Sequence, residues 1–123
     1  MDIDIVKESF EKVLNKTRCE YKSEIKNFGQ CIEISNKDFV FDLDENCLFI
    51  WIRTLGNRVE IATINLPESI RRIGILTEII NNLKEISSIN EIAITGVSTE
   101  PMKNFCMKHG FISTNGYDFV LKK

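Results

Sequence analysis

The sequence predicts an α+β (mixed α/β) fold: a twisted mixed sheet built as an antiparallel meander followed by β-α-β-α-β, with helices on both faces. Three observations carry this expectation. Apolar residues between positions 30 and 66 fall in short runs separated by turn residues, which is strand patterning. From residue 73 onward the apolar period becomes helical, then passes through strand, helix and strand again. The chain's 123 residues, 43% hydrophobic and 28% charged, suffice for one ordinary core and leave no room for a second, so a single domain over 1–123 is expected.

Ile3, Val6, Phe10, Val13 and Leu14 form one stripe, an amphipathic helix over 3–17. Residues 19–27 are polar and mixed and carry no clear period. Strands are expected at 30–34, at 39–43 before the turn Asp44-Glu45-Asn46, and at 47–54, where Leu48-Phe49-Ile50-Trp51-Ile52 reads as buried. Gly56-Asn57 marks a hairpin, and a fourth strand returns over 59–66 until Pro67 ends it. Ser69 caps a helix carrying Ile73, Leu76, Ile79, Ile80, Leu83 and Ile86. Residues 91–97 alternate as a strand. Ser98-Thr99-Glu100-Pro101 starts a helix that stops at Gly110. Phe111 to Leu121 is the last extended segment, broken near Asn115-Gly116.

Charge and cysteine spacing exclude several function classes. A net charge of −2 argues against a general nucleic-acid binder, whose affinity comes from basic side chains on phosphates. Residues 1–66 carry nine Lys/Arg against twelve Asp/Glu and residues 67–123 seven against six, so the back half better suits a phosphate ligand. Cys19, Cys31, Cys47 and Cys106 form no C-x-x-C pair, and His109 is the single histidine, so neither a metal site nor a redox dithiol is expected. Met1-Asp2-Ile3-Asp4 has no signal-peptide pattern, and no apolar run reaches membrane-spanning length. The expectation is a soluble, cytoplasmic protein with free thiols and no membrane partner.

The chemistry concentrates in Leu66-Pro67-Glu68-Ser69-Ile70-Arg71-Arg72-Ile73-Gly74-Ile75-Leu76-Thr77, between a strand and a long helix. A glycine turn there can aim backbone N–H groups at an anion, the helix dipole favours negative charge, and Arg71 and Arg72 add two cations. That is a pyrophosphate cradle, although one glycine would equally fit an ordinary basic helix start. Arg71-Arg72-Ile73-Gly74-Ile75-Leu76 resembles the [QR]-x-x-G-x-[GA] turn of motif A in the GNAT N-acetyltransferase superfamily. Thr77 takes the hydroxyl position that often follows, and Leu76 replaces the usual small residue. Asn104-Phe105-Cys106-Met107-Lys108-His109-Gly110-Phe111 resembles the family's motif B, a helix ending in F-Y-x-K-x-G-F. Both matches lie in the family's order within residues 59–121, whereas the first half agrees only in its strand order.

The resemblance implies a GNAT-like domain that uses acetyl-CoA as co-substrate, without metal, and acetylates an amine of a small molecule or protein. It implies that Arg71, Arg72, Ile73, Gly74, Ile75, Leu76 and Thr77 hold the pyrophosphate. Backbone at Leu66 would meet the thioester carbonyl where the fourth and fifth strands splay. By the same resemblance Glu60 is the general base, against the alternative of a water-facing strand glutamate. Cys106 stands where many members carry a tyrosine that protonates the departing thiolate; a thiol could donate in its stead, or pack the helix. Tyr117 is a substitute donor from the last strand. Thr99 takes the place of an asparagine that binds the pantetheine arm, and His109 a variable position. Trp51, Phe39, Phe41 and Phe49 suit either an acceptor pocket or the core. The alternative function is a catalytically weak GNAT-like module that binds CoA or a protein partner. The acceptor amine is not specified by these residues, and a homodimer is compatible with both readings.

Overall fold

The computed structural model describes residues 2–36 and 46–123; the strand expected at 39–43, with Phe39 and Phe41, lies outside them. Among the described residues the order is α1 (Ile3–Leu14), β1 (Lys22–Lys26), β2 (Cys31–Ser35), β3 (Phe49–Leu55), β4 (Arg58–Asn65), α2 (Ile75–Lys84), β5 (Glu91–Ile94), α3 (Glu100–Lys108), β6 (Ile112–Ser113) and β7 (Phe119–Lys122). A 3-10 turn at Glu68–Ile70 precedes α2. The strands form one seven-stranded sheet in the order β1-β2-β3-β4-β5-β7-β6. β4 and β5 pair in parallel, because α2 crosses between them; the other neighbours are antiparallel. This is the α+β mixed sheet that the sequence predicts, an antiparallel meander followed by β-α-β-α-β.

Residues paired directly across strands share a face, and the register collects isoleucines on one of them. Ile34 faces Ile50, Ile32 faces Ile52, Ile52 faces Ile61, and Ile61 faces Ile94, all of them buried. Over this surface α1 lays Val6, Phe10, Val13 and Leu14, and α2 lays Ile75, Leu76, Ile79, Ile80 and Leu83. The two helices pack side by side. Their rims are tied by Lys16 Nζ to Glu78 Oε2 at 3.1 Å and by Asn82 Nδ2 donating to the Ser9 carbonyl at 3.4 Å. The sequence expects helices on both faces; α1 and α2 share this one. The opposite face carries Glu33, Arg53, Arg58, Glu60, Glu91 and Lys122.

Local departures from the expected elements have identifiable causes. β1 falls in the segment without a clear period. It is an edge strand whose residues are exposed or half-exposed, so it shows no burial alternation. α1 ends at Leu14, not residue 17, and the Thr17 hydroxyl donates to the Leu14 carbonyl at 2.7 Å. Ser69 does not cap α2. It sits in the 3-10 turn, and the helix begins six residues later because Arg71 is extended and Arg72 and Gly74 adopt φ of 63° and 84°. β5 stops at Ile94 because Gly96, at φ 66°, turns the chain away. α3 has Thr99 as its N-cap residue, as the Ser98–Pro101 pattern suggests, and Gly110 at φ 85° follows its end. Among the described residues no helix is long and apolar enough to cross a membrane.

The packing predicts a sharp contrast between two isoleucines. Ile52, fully buried in the sheet centre, should lose about 2–5 kcal/mol on substitution by alanine. Ile25→Ala on the exposed edge strand should stay within about 0.5 kcal/mol of the parent. Urea unfolding of both variants measures the difference.

Candidate functional site

The turn after β4 is shaped by backbone conformation more than by side-chain bonding. Arg72 and Gly74 are both left-handed, and only glycine adopts that region without cost. Gly74 is the N-cap residue of α2 and has no side chain, so the leading amides of Ile75, Leu76 and Thr77 receive no side-chain cap. The helical ladder starts with Glu78 N–H donating to the Gly74 carbonyl at 3.0 Å. Those amides open onto a cavity of about 220 Å³ lined by Leu66, Arg72, Gly74 and the first residues of α2, and closed by Ile70 and Phe105.

The two arginines differ. Arg72 is exposed and has no hydrogen bond or ion pair with any described residue. Arg71 is committed: its Nη1 lies 3.1 Å from Glu68 Oε2, and its Nε donates to the Leu66 carbonyl at 2.6 Å. Arg71 and Ile73 do not line the cavity, and Ile73 is 59% exposed. Six of the eight residues nominated for the cofactor therefore meet in one place: Leu66, Arg72, Gly74, Ile75, Leu76 and Thr77. Beside them the His109 Nε2 lies 3.5 Å from the Thr77 hydroxyl, and its ring sits 4.2 Å from that of Phe105. Burial, then the charges of Lys84 and Lys108, push the His109 pKa below its usual value, so the imidazole is neutral at pH 7.

A second cavity continues along the same strand. The final hydrogen bond from β5 toward β4 runs from Thr95 N–H to the Ile61 carbonyl at 3.1 Å. Beyond it β4 continues to Asn65 while β5 has ended. β4 also bulges here: Trp51 faces Thr63 and Ile52 faces Ile61, which leaves Ala62 as an extra residue. The strands part around a cleft of about 250 Å³, walled by residues 61–64 of β4 and by 94–99, from the last residue of β5 onward, with Met102 of α3 against it. Thr99 lines this cleft together with Thr63, Thr95 and Ser98. The two cavities follow one another along β4 and along α3, from Ile61 to Leu66 and from Met102 to Phe105.

Neither nominated catalytic side chain lines these cavities. Glu60 lies on the charged face of the sheet, 8% exposed, with Arg53 Nε 2.9 Å from one carboxylate oxygen and Arg58 Nη2 3.4 Å from the other. Cys106 is fully buried in α3, and burial pushes its thiol pKa up to about 11, so it is protonated at neutral pH. Tyr117 is 62% exposed, with the Lys103 ammonium 5.9 Å from its ring centroid. Trp51 and Phe49 are half-buried on β3 and line neither cavity. Phe105 and Met102 were not nominated as site residues; their spacing on α3, which turns both toward the cavities, is the signal that points to them. Among the described residues no three His, Cys, Asp or Glu side chains cluster as metal ligands.

No protein-family model and no curated protein sequence matches the chain. Among solved structures, it is similar to a PaiA N-acetyltransferase from Thermoplasma acidophilum in complex with coenzyme A. The two are 21% identical with a TM-score of 0.45 over 76% of this chain, which spans 58% of that protein's length.

The burial of Cys106 gives a direct expectation. Thiol reagents at neutral pH should label half-buried Cys19 in the native protein and reach Cys106 only in denaturant, as read by peptide mass mapping. Cys106→Ala should cost on the order of 1 kcal/mol in unfolding free energy, the loss of one buried heavy atom.

Proposed function

We propose that this chain binds acetyl-CoA and acts as a GNAT-type N-acetyltransferase on an amine of a small molecule or protein. The observation that carries the reading is the continuity of two features along β4: an uncapped helix start with an unpartnered arginine, and a parting of two parallel strands. The first suits a pyrophosphate, which would take the amides of Ile75, Leu76 and Thr77 and the charge of Arg72. The second suits an extended, mostly uncharged arm that pairs with the free backbone edge of β4. Leu76 does not obstruct this arrangement, because its side chain belongs to the core, 8% exposed, while its amide is one of the leading amides of α2.

In the reaction a neutral amine attacks the thioester carbonyl, and the tetrahedral oxyanion collapses to the amide with expulsion of the CoA thiolate. The amine proton leaves to a base, and the thiolate takes one up. The cleft lining offers hydroxyls and backbone amides for the oxyanion, but no ionisable side chain. Glu60 would have to act from the charged face while held by two guanidiniums, and the Cys106 thiol is enclosed in the core. That observation favours a second reading, a CoA-binding module of low turnover. In both readings Glu60 serves the sheet: Glu60→Gln should lower Tm and leave acetyl transfer per folded molecule within about twofold, against the roughly hundredfold loss expected of a general base.

Acetyl-CoA at a hundredfold excess over its Kd should stabilise the fold by about 2.7 kcal/mol. Arg72→Gly removes a left-handed side chain worth about 1–2 kcal/mol of strain. It should therefore raise the Tm of the unliganded protein while weakening CoA. Gly74→Glu should abolish the CoA-induced shift. A parent protein whose Tm does not respond to CoA would overturn both readings, and thiol release with a panel of amines separates them.

A further inference from the structure

The parting of β4 and β5 needs something to hold it open, and we infer that Asp118 is the positioning residue that does so. The inference rests on the acyl-CoA reading above and concerns how its cleft is kept in shape. After Thr95, β5 changes hydrogen-bond partner. The next amide, Gly96 N–H, donates to Asp118 Oδ1 at 3.1 Å, and Val97 N–H donates to the Tyr117 carbonyl at 2.8 Å. Both acceptors belong to the loop between β6 and β7, on the side of β5 away from β4.

That loop is braced internally. Asn115 Oδ1 accepts from the amides of Tyr117 and Asp118, both at 2.8 Å, and Asn115 Nδ2 donates to Asp118 Oδ2 at 3.1 Å. The Gly116 amide donates to the Ser113 hydroxyl at 2.8 Å. Side chain to backbone bonds of this kind fix a short loop without secondary structure. Hydrogen bonds from Gly96, then from Asn115, hold the Asp118 carboxyl below the usual carboxylate range, as expected of a charge committed to those donors.

The consequence follows from what each strand lacks. Gly96, at φ 66°, bends the chain away from β4, and its amide is satisfied by a side chain and not by a strand. Gly96 is exposed, so without Asp118 its amide is released to water or to the stretch of β4 beyond Ala62, which lines the same cleft. Movement of the β5 end toward that stretch would narrow the cleft proposed for the pantetheine arm. Asp118 and Tyr117 thus draw the end of β5 toward β7 and keep the β4 edge vacant for a ligand. Asp118 touches neither cavity's lining; it acts through Gly96.

The test compares two probes on the full chain: CoA, and adenosine 3′,5′-bisphosphate, which lacks the pantetheine arm. Asp118→Ala should weaken CoA about tenfold, the effect of one lost hydrogen bond in the holding structure, and leave the nucleotide within about twofold. Asp118→Asn keeps an oxygen acceptor for Gly96 and should restore CoA binding. Hydrogen exchange of the Gly96 amide should accelerate in the alanine variant and not in the asparagine one. Unchanged CoA affinity in Asp118→Ala would overturn the inference, as would an equal loss for both probes. Failure of the parent protein to bind either probe overturns the acyl-CoA reading itself, and with it the purpose assigned to Asp118.

Discussion

Parallel pairing of β4 with β5 organises much of the molecule. Two parallel strands cannot be joined by a tight turn, so the chain between them must cross a face of the sheet, and α2 is that crossover. Its apolar stripe fixes which face it covers, and its direction fixes where its N-terminus falls, next to the C-terminal end of β4. The pairing spans four residue pairs, from Arg58–Glu91 to Ile61–Ile94, and then stops. The positive end of a helix and the mouth of a strand gap are thereby brought to the same end of the sheet. Crevices outside the carboxyl ends of such strands are where α/β sheets generally accept ligands, and here the topology alone creates one.

The parts of this arrangement that were legible in the sequence are those governed by burial period. Ile79, Ile80 and Leu83 announce α2, and the alternation through Ile50, Ile52, Ile61 and Ile94 announces the core face of the sheet. The turn sequence Arg71–Thr77 could be placed because glycine and arginine signal conformation and charge locally. Ser69 misled because a capping residue type says nothing about whether the backbone after it can enter a helix; Arg72 and Gly74 decided that through φ. β1 was hidden because an edge strand with both faces wet needs no apolar pattern. Glu60 shows the same limit from the other side. Alternation with Val59 and Ile61 sets it on the face opposite theirs, but that its carboxylate is held by Arg53 and Arg58 and lines neither cavity depends on cross-strand pairing.

The charged face has its own logic. Glu60 is nearly excluded from water, and a carboxylate so placed requires partners. Arg53 comes from directly across β3, and Arg58 from two residues earlier on β4, both on the same face by alternation. Arg58 also reaches toward Glu91 on β5, at 3.8 Å, so one guanidinium bridges adjacent parallel strands at the end opposite the cleft. Charge bonding therefore reinforces β4 and β5 where they are joined, and among the described residues no ion pair links them where they part.

Arg72 brings these threads together. A left-handed conformation at a non-glycine residue is unfavourable, and proteins retain such strain where the surroundings or a ligand offset it. Arg72 has no hydrogen bond or ion pair with any described residue, so no such bond among them offsets its strain. Its neighbour Arg71, in ordinary extended backbone, is by contrast bonded to Glu68 and the Leu66 carbonyl. The turn thus spends one arginine on holding its own shape and leaves the strained one free at the mouth of an uncapped helix. Selection for stability alone would place glycine at that position. On the acetyl-CoA reading, a phosphate is the missing partner that makes an arginine there worth its strain.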